Sequence, residues 1–359
     1  MYDVVVVGAG IGGLTVAALL SARGVKTCLL ERQSQVGGCI ARVEFSGYDF
    51  EPGMGLYTSF GPGGIYEKLF SQLPVEPPAE SLLTSRYVKR LVDGTDLTLS
   101  NDDLYWIEGG PASLAERLAD SIMRSGGALR LDSPVLRLAY DESNRAVGVD
   151  LLSGETVLAR RAIVSNMTVW DTYGKLVGLN RTTGEIKKQL NTLRGTGVYV
   201  VYAAIEAPAV ARLPGERMLV QDSEGEFTMA ISRSSSAPEG KHAVTFTCRT
   251  EVESWFAYQS SAEDYEQWDQ EALEHFWARL HKAMPELGSE IEIIETANPR
   301  SYYEQTRRKL GMVMGVGNEP PSHRTALPNL FIVGDTVSRE PTLDSVVKVA
   351  IEVAGEINE

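Results

Sequence analysis

The sequence predicts an α/β fold in which a parallel, nucleotide-binding sheet is combined with a second, antiparallel sheet. The first observation is a β-α-β pattern at the start of the chain. A β-branched run at 4–7 leads into a glycine-rich turn at 8–13 and a helical pattern at 14–23, and a second strand covers 26–31. The second observation is the set of short alternating runs in the middle of the chain, which is typical of antiparallel strands.

These middle runs divide the chain into interleaved parts. Strands are predicted at 198–205, 218–221, 227–231, 243–250, 291–296 and 330–333, and helices at 262–283 and 345–357. A hairpin is predicted over 82–99, with its turn near Asp93-Gly94. We therefore expect a nucleotide domain built from 1–80, 105–175 and 301–359. A substrate domain would be built from 81–104 and 176–300.

Composition excludes several classes of protein. The chain has 359 residues, 43% of them hydrophobic, and a net charge of −14, which would repel a nucleic-acid backbone. Its three cysteines make neither a disulfide framework nor a metal site, so we expect a reducing cytoplasm and no metal. The apolar run at 4–20 is short for a membrane span and is interrupted by glycines. No secretory signal or transmembrane segment is expected.

The strongest functional motif is the turn Gly8-Ala9-Gly10-Ile11-Gly12-Gly13, whose glycines match G-x-G-x-x-G between a strand and a helix. The first glycine permits the tight turn, the second lets the backbone approach a pyrophosphate, and the third lets the helix pack on the strand. The helix N-terminus then offers free N–H groups to that anion. Glu31 ends the second strand, where a carboxylate can accept both ribose hydroxyls of an adenosine. A dinucleotide, FAD or NAD, is the predicted ligand.

The residues after Glu31 carry a family resemblance. Gly37-Gly38-Cys39 and the segment from Gly47 to Gly53 resemble the second FAD stretch of the phytoene desaturase, carotenoid isomerase and retinol saturase family, within the flavin amine oxidase group. The resemblance implies FAD as the cofactor. It also implies a glutathione-reductase-like FAD-binding Rossmann domain with an antiparallel-sheet substrate domain.

The resemblance continues to the end of the chain. It implies that Val135 contacts the adenine through its backbone, and that Gly334-Asp335 forms the last FAD motif, with Asp335 bonding to the ribityl chain or pyrophosphate. The terminal helix would aim its N-terminus at the flavin. The cofactor-binding residues expected from the motif and the resemblance are Gly8, Ala9, Gly10, Ile11, Gly12, Gly13, Glu31, Arg32, Gly38, Cys39, Gly53, Met54, Val135, Gly334, Asp335 and Val346.

The chain departs from the family in four places. Relatives carry a long helical cap between the positions of Asp103 and Leu104, and it is missing here. A bulky loop at 338–344 replaces the usual glycine-rich loop. Cys39 stands where a basic residue is common, and Glu51 stands where aspartate is usual. Without the cap, we expect an uncovered apolar face near the flavin, formed by Tyr105, Trp106 and strands such as 198–205. A homodimer would cover that face, or a smaller, tighter site would replace it.

No acid-base or nucleophilic set stands out, so no catalytic residue is predicted. Hydride transfer at flavin N5 needs mainly a substrate held close in a water-poor pocket. We expect an oxidoreductase that desaturates, isomerises or saturates a small apolar, isoprenoid-like molecule. No second G-x-G-x-x-G follows, and the electron acceptor is left open.

Two alternatives stay open. An amine oxidase would need two facing aromatic rings, for which Tyr302 and Tyr303 are the candidates. A non-catalytic FAD-binding partner protein is the other. The neighbouring basic run Arg307-Arg308-Lys309 is interpreted as a solvated turn.

Overall fold

The computed structural model describes residues 1–53, 55–82, 86–100, 102–233, 237–257, 262–313, 315–316 and 319–358. Within these residues the chain forms two seven-stranded sheets and two strand pairs. The strands of the first sheet are β1 (Tyr2–Val7), β2 (Thr27–Leu30), β9 (Ala128–Arg130), β10 (Val135–Tyr140), β11 (Ala146–Leu151), β12 (Thr156–Ser165) and β18 (Leu330–Ile332). Those of the second sheet are β6 (Tyr87–Arg90), β7 (Asp96–Thr98), β13 (Gly197–Glu206), β14 (Arg217–Asp222), β15 (Gly225–Ile231), β16 (Lys241–Thr250) and β17 (Ile291–Ala297).

The strand pairs and helices complete the described structure. The pairs are β3 (Val43–Phe45) with β4 (Tyr48–Phe50) and β5 (Glu80–Leu82) with β8 (Tyr105–Ile107). The α-helices are α1 (Ile11–Ala22), α2 (Ile65–Phe70), α3 (Gly110–Arg124), α4 (Val169–Asp171), α5 (Gly184–Thr192), α6 (Ala207–Val210), α7 (Ser254–Ala257), α8 (Ala262–Ala283), α9 (Pro299–Thr306) and α10 (Leu343–Asn358). A π-helical segment, Thr172–Gly178, continues α4. None of the described helices is both long and apolar enough to cross a membrane.

The first sheet has a parallel core in the order β18, β12, β1, β2, β9, and the antiparallel strands β10 and β11 extend it beside β12. Strand β1 lies between two parallel neighbours and is packed on both faces, so its four valines are 0–5% exposed. Helices α1, α3 and α10 cover one face of this sheet. The carboxyl ends of β1, β12 and β18 meet at one edge, which is where parallel α/β sheets bind ligands.

The second sheet is antiparallel except for the pairing of β6 with β14. Helix α8 packs on one face, where Phe276 and Leu280 join a core with Met218 and Phe246. The opposite face turns towards the first sheet. There Val198, Val200 and Tyr202 pack with Tyr48 and Phe50 of β4. This second interface brings strand β13 next to the segments that follow the glycine-rich turn.

The predicted fold class is confirmed, as are most predicted elements. The first helix, the long helix at 262–283 and the terminal helix all form, and strands β13 to β18 differ from the predicted strands by two residues or fewer at each end. The hairpin predicted over 82–99 is narrower, with β6 and β7 around the turn at Asp93-Gly94. Helices α5 and α9 and the strand pair β3–β4 were not predicted from the sequence. The domain boundaries remain a prediction.

Candidate functional site

A cavity of about 1330 Å³ lies between the edge of the first sheet and the inner face of the second. It extends from the glycine-rich turn to strands β13, β15 and β16. Most residues predicted to bind the cofactor border it. They are Gly8, Gly10, Ile11, Glu31, Arg32, Gly38, Cys39, Gly53, Val135, Gly334, Asp335 and Val346. Ala9, Gly12 and Gly13 lie behind this surface and shape it, and Met54 lies outside the described residues.

The glycine-rich turn has the geometry that its sequence predicts. Gly8 has φ +100°, a conformation that disfavours any side chain. A Cβ at Gly13 would overlap the carbonyl oxygen of Gly8, so helix α1 can approach β1 only with glycine there. Gly10 is the N-cap residue of the helix, and as a glycine it has no Cβ that would block the cavity. The first turn of α1 therefore presents its backbone N–H groups at the cavity edge.

Glu31 is buried beside this turn and is fixed by the backbone. One carboxylate oxygen accepts the N–H of Ala9 at 2.7 Å, and the other accepts the N–H of Gln33 at 2.9 Å. Each carboxylate oxygen can accept more than one hydrogen bond, so acceptor capacity remains for a ligand. Glu31 borders the cavity. The predicted ribose ligand is thus an oriented carboxylate at the edge of a ligand-sized space.

Asn166 lies at the site but was not predicted from the sequence. It follows β12, and its side chain lies against the glycine turn. A Cβ at Gly10 would be 2.5 Å from its Nδ2, and a Cβ at Gly12 would be 2.9 Å from its Oδ1. Gly12 also faces the N–H of Gly334 and the side chain of Val346, each at 3.2 Å from the Cβ position. A polar residue directly after a buried parallel strand was the available signal.

The predicted residues of the second stretch approach the same turn from the other side. The N–H of Gly37 donates to the carbonyl of Ala9 at 2.8 Å, and Gly38 lies 3.6 Å from Gly10 when measured from the position of its Cβ. Cys39 follows and borders the cavity. Burial raises the pKa of the Cys39 thiol, so it is neutral near pH 7. A small neutral side chain therefore occupies this position.

The last predicted motif carries an ion pair. Nη2 of Arg308 donates to both carboxylate oxygens of Asp335, at 2.8 and 2.6 Å, and the N–H of Gly315 donates to the same carboxylate at 3.2 Å. The two side chains are only 17% and 20% exposed. The interpretation of Arg308 as part of a solvated turn is therefore wrong. The carboxylate of Asp335 holds it at the cavity wall.

Arg32 and Val135 border the cavity, as Glu31 does. The guanidinium of Arg32 donates to the carbonyl of Gln305 at 2.8 Å, which links β2 to the end of α9. Val135 begins β10 and pairs with Leu151. On the last helix, Lys348 is exposed and does not line the cavity. Val346 is the residue of this helix that reaches the glycine turn.

Two tyrosines form part of the opposite wall. Tyr202 on β13 and Tyr302 on α9 both border the cavity, and their hydroxyl groups lie close enough to interact. Burial raises the pKa of Tyr202 to about 12 and raises the pKa of Tyr302 well above its usual value. Tyr303, the other candidate ring of the amine oxidase alternative, packs edge-on against Phe256, with 5.7 Å between the ring centroids. The alternation along β13 placed Tyr202 on one face of the strand but did not say which face meets the cavity.

The expected uncovered apolar face is not found on β13. Its residues from Val198 to Ile205 are 0–5% exposed. The two aromatic residues expected on the same face, Tyr105 and Trp106, are half-buried. The indole N–H of Trp106 donates to Glu51 at 3.0 Å. The connection from β7 to β8 covers only 99–104, so the absence of the cap is real. The inner face of β13 packs against the strand pair β3–β4 instead of lying open.

These features define a dinucleotide-binding α/β protein whose ligand cavity is shared with a second, antiparallel sheet. Residues 89–358 match the family described as flavin containing amine oxidoreductase, and residues 6–73 match the NAD(P)-binding Rossmann-like domain. The chain belongs to the flavin containing amine oxidoreductase family. The predicted FAD cofactor is confirmed by this membership, and the residues present fit it: an open helix N-terminus, an oriented carboxylate and a cavity of sufficient size.

Individual relatives support the predicted resemblance. The chloroplastic prolycopene isomerase of Daucus carota is 25% identical over 248 residues, which cover 64% of this chain and 40% of that protein. One component of the limonene dehydrogenase of Castellaniella defragrans is 48% identical over 113 residues, or 28% of this chain and 18% of that protein. This chain therefore spans less than half of either relative. An oxidoreductase from Methanosarcina mazei shares the fold, with a TM-score of 0.75, 16% identity, and coverage of 98% of this chain and 99% of that chain.

Proposed function

We propose that this protein is an FAD-dependent oxidoreductase that desaturates, isomerises or saturates a compact, apolar, isoprenoid-like substrate. The observation that carries the proposal is the single continuous cavity that joins the glycine-rich turn to the inner face of the second sheet. A cofactor bound at the turn and a substrate bound at the sheet would then meet in one space. The relatedness to a prolycopene isomerase and to a limonene dehydrogenase component supports the substrate class.

The cofactor would be held by the residues predicted for it. We propose that the N-terminus of α1, reached through Gly10 and Ile11, binds the diphosphate, and that Glu31 binds the adenosine ribose. Val135 would contact the adenine. Gly38, Cys39, Gly53, Gly334, Asp335 and Val346 would surround the rest of the cofactor. Bound FAD would supply hydride transfer at its N5 atom.

The substrate side of the cavity is formed by the second sheet. Val198 and Val200 of β13 stand beside Thr245 and Thr247 of β16, and Tyr202 completes this wall. These five side chains are uncharged, with hydroxyl groups alternating with aliphatic groups, while the charged residues Glu224, Glu226, Arg249 and Arg279 also line the cavity. We infer that the uncharged wall positions an alkene and excludes water, which is the main demand of hydride transfer.

The size of the cavity favours a compact substrate. Pockets that bury one ligand measure about 300–1,000 Å³, and FAD, as a large ligand, takes the upper part of that range. Within 1330 Å³ this leaves room for a small second ligand. A carotenoid is itself a long ligand and would extend into water, since the cap is missing. A monoterpene would fit.

Anaerobic flavin spectroscopy tests the proposal. Purified holoprotein is mixed with monoterpene alkenes, and separately with a carotenoid in detergent, while the flavin absorbance is followed. We expect a monoterpene to bleach the absorbance of the oxidised flavin. When the flavin is first reduced with dithionite, we expect the monoterpene to be isomerised or to reoxidise the flavin. Turnover of the carotenoid alone would contradict the compact substrate. A holoprotein that responds to neither class in either redox state would contradict the oxidoreductase proposal.

An amine oxidase is the second candidate, favoured by the presence of two tyrosines, Tyr202 and Tyr302, at the cavity wall. They meet at their hydroxyl groups, whereas an amine site would place their rings face to face. Bleaching of the flavin by a primary amine, with hydrogen peroxide formed on readmission of oxygen, would favour this candidate. The absence of any response to amines would remove it.

Quaternary structure and location remain proposals. We propose a homodimer. The support comes from exposed apolar residues outside β13. Leu82, Val92 and Leu97 are 45–62% exposed on the segment that lacks the cap, and β7 is an edge strand there. Light scattering in dilute solution tests it, and a monomer would contradict it. The cytoplasmic location expected from the cysteines remains a prediction.

A further inference from the structure

Two buried charges stand at the junction of the glycine turn and the last motif, and neither belongs to the glycine-rich signature. Gly12 in the first turn of α1 packs against Gly334, and the next residue, Asp335, is paired with Arg308. Cys39 approaches the same place from the other side, close enough for its thiol to interact with both charges. Cys39, Arg308 and Asp335 all border the cavity.

The negative charge of Asp335 is unfavourable for a dinucleotide bound at the glycine turn. A carboxylate next to the first turn of α1 would repel the two negative charges of a diphosphate bound there. Arg308 removes that repulsion, because its Nη2 holds both oxygens of Asp335 and its Nε is fixed by the carbonyl of Met312 at 2.7 Å. The side chain is therefore oriented by three hydrogen bonds and lies at the cavity wall.

One donor of the guanidinium is not used within the described part of the chain. No described residue accepts a hydrogen bond from Nη1 of Arg308, and this side chain is 17% exposed and borders the cavity. Cys39 leaves space for this arrangement, since its side chain is small and neutral. A longer, charged side chain at that position would compete with Arg308 for the same place.

We propose that Arg308 is a cofactor-binding residue that makes Asp335 compatible with the diphosphate of FAD and donates Nη1 to a phosphate oxygen. The proposal rests on the proposed FAD-dependent function. The basic run at 307–309 thus contributes Arg308 to the cofactor site, although this residue lies outside the N-terminal β-α-β unit. Asp335, freed from repulsion, remains an acceptor for hydroxyl groups of the ribityl chain.

Ligand titration of the apoprotein tests this role, with flavin fluorescence and calorimetry as readouts. We expect Arg308→Met to raise the Kd for FAD and for ADP about ten- to a hundredfold, which is the range of one lost charge-assisted hydrogen bond. The Kd for riboflavin, which lacks the diphosphate, should change little. The double variant Arg308→Met/Asp335→Asn should bind FAD more tightly than Arg308→Met alone, because the uncompensated carboxylate is gone.

Controls separate binding from folding. Arg308→Lys keeps the charge and should fall between the wild type and Arg308→Met. Arg90→Met breaks another half-buried ion pair, with Asp96 at 2.8 Å, away from the cavity, and should leave the Kd for FAD unchanged. Equal Kd values for Arg308→Met and the wild type, or no recovery in the double variant, would overturn the role of Arg308. Failure of the wild-type protein to bind FAD would instead overturn the proposed function.

Discussion

Glu51 and Arg217 form a buried ion pair, with 3.1 Å between Oε2 of Glu51 and Nη2 of Arg217, and it joins the segment after β4 to the second sheet. Arg217 begins β14 and is 0% exposed, while Glu51 follows β4 and its side chain is 8% exposed. The other oxygen of Glu51 accepts the indole N–H of Trp106 at 3.0 Å and the N–H of Arg233 at 3.2 Å. The segment leading to Gly53 is thereby fixed to the second sheet.

Removing one partner of this pair should destabilise the protein strongly. Arg217→Met leaves a buried carboxylate without its counter-charge, and such changes cost about 3–5 kcal/mol. The double variant Glu51→Gln/Arg217→Met should recover part of that loss, since no net charge stays buried. Urea unfolding measures both. As a control, Arg124→Met breaks the exposed pair with Asp120 and should change stability by less than about 0.5 kcal/mol. Equal stability of Arg217→Met and the wild type would show that the pair is dispensable.

Glu31→Ala should weaken the retention of FAD. If Glu31 binds the ribose as proposed, the substitution removes two charge-assisted hydrogen bonds, which contribute on the order of 1.5–3 kcal/mol each before water replaces them. It also frees the N–H groups of Ala9 and Gln33, so the glycine turn should loosen. Equilibrium dialysis gives the FAD affinity, and Glu142→Ala in an exposed turn is the matched control. An unchanged affinity in Glu31→Ala would mean that Glu31 is not the ribose ligand.

The sequence predicted the parts of the site that depend on local signals. The glycine spacing, the strand before it and Glu31 after it all lie within one β-α-β unit, so their geometry follows from neighbours in the chain. The pairing of Arg308 with Asp335 depends on two turns meeting in space. The basic run around Arg308 looks like any solvated turn, because its partner Asp335 is supplied by another element.

Tyr202 and Arg217 show the same limit in the second sheet. Alternation along a strand tells which residues share a face, but the assignment of a face to the core or to the cavity depends on what packs against it. Arg217 reads as a charged first residue of a strand, which is normally exposed. Its burial follows from Glu51, which lies far away in the sequence, and from the closing of β4 over the sheet.

Alkaline pH should destabilise the protein through Cys28. This thiol is fully buried in β2, and burial raises its pKa to about 11. In the unfolded chain a cysteine ionises near about 8.5, so the unfolded state loses its proton first. The stabilising contribution is complete below that pH and is lost as the pH rises towards 11. The free energy of unfolding of the wild type should therefore fall by roughly 3 kcal/mol more than that of Cys28→Ala between pH 8 and 11. Parallel pH profiles for the two proteins would contradict this.

Two glycine-to-alanine substitutions in helices should act in opposite directions. At Gly13 a Cβ would overlap the carbonyl oxygen of Gly8 and would stand 3.1 Å from the Cβ of Asn166. Helix α1 would have to move off β1, which should cost at least about 1–3 kcal/mol and should displace the N-terminus that faces the cavity. At Gly355, on α10, nothing lies within 4 Å of the Cβ position. Alanine there reduces the freedom of the unfolded chain and should stabilise the protein by up to about 1 kcal/mol.

Thermal unfolding, followed with and without added FAD, measures both effects. Only Gly13→Ala should lose the stabilisation by FAD, because only that helix end borders the ligand site. If Gly13→Ala kept the wild-type melting temperature and the full response to FAD, the close approach of α1 to β1 would not be a requirement of this site.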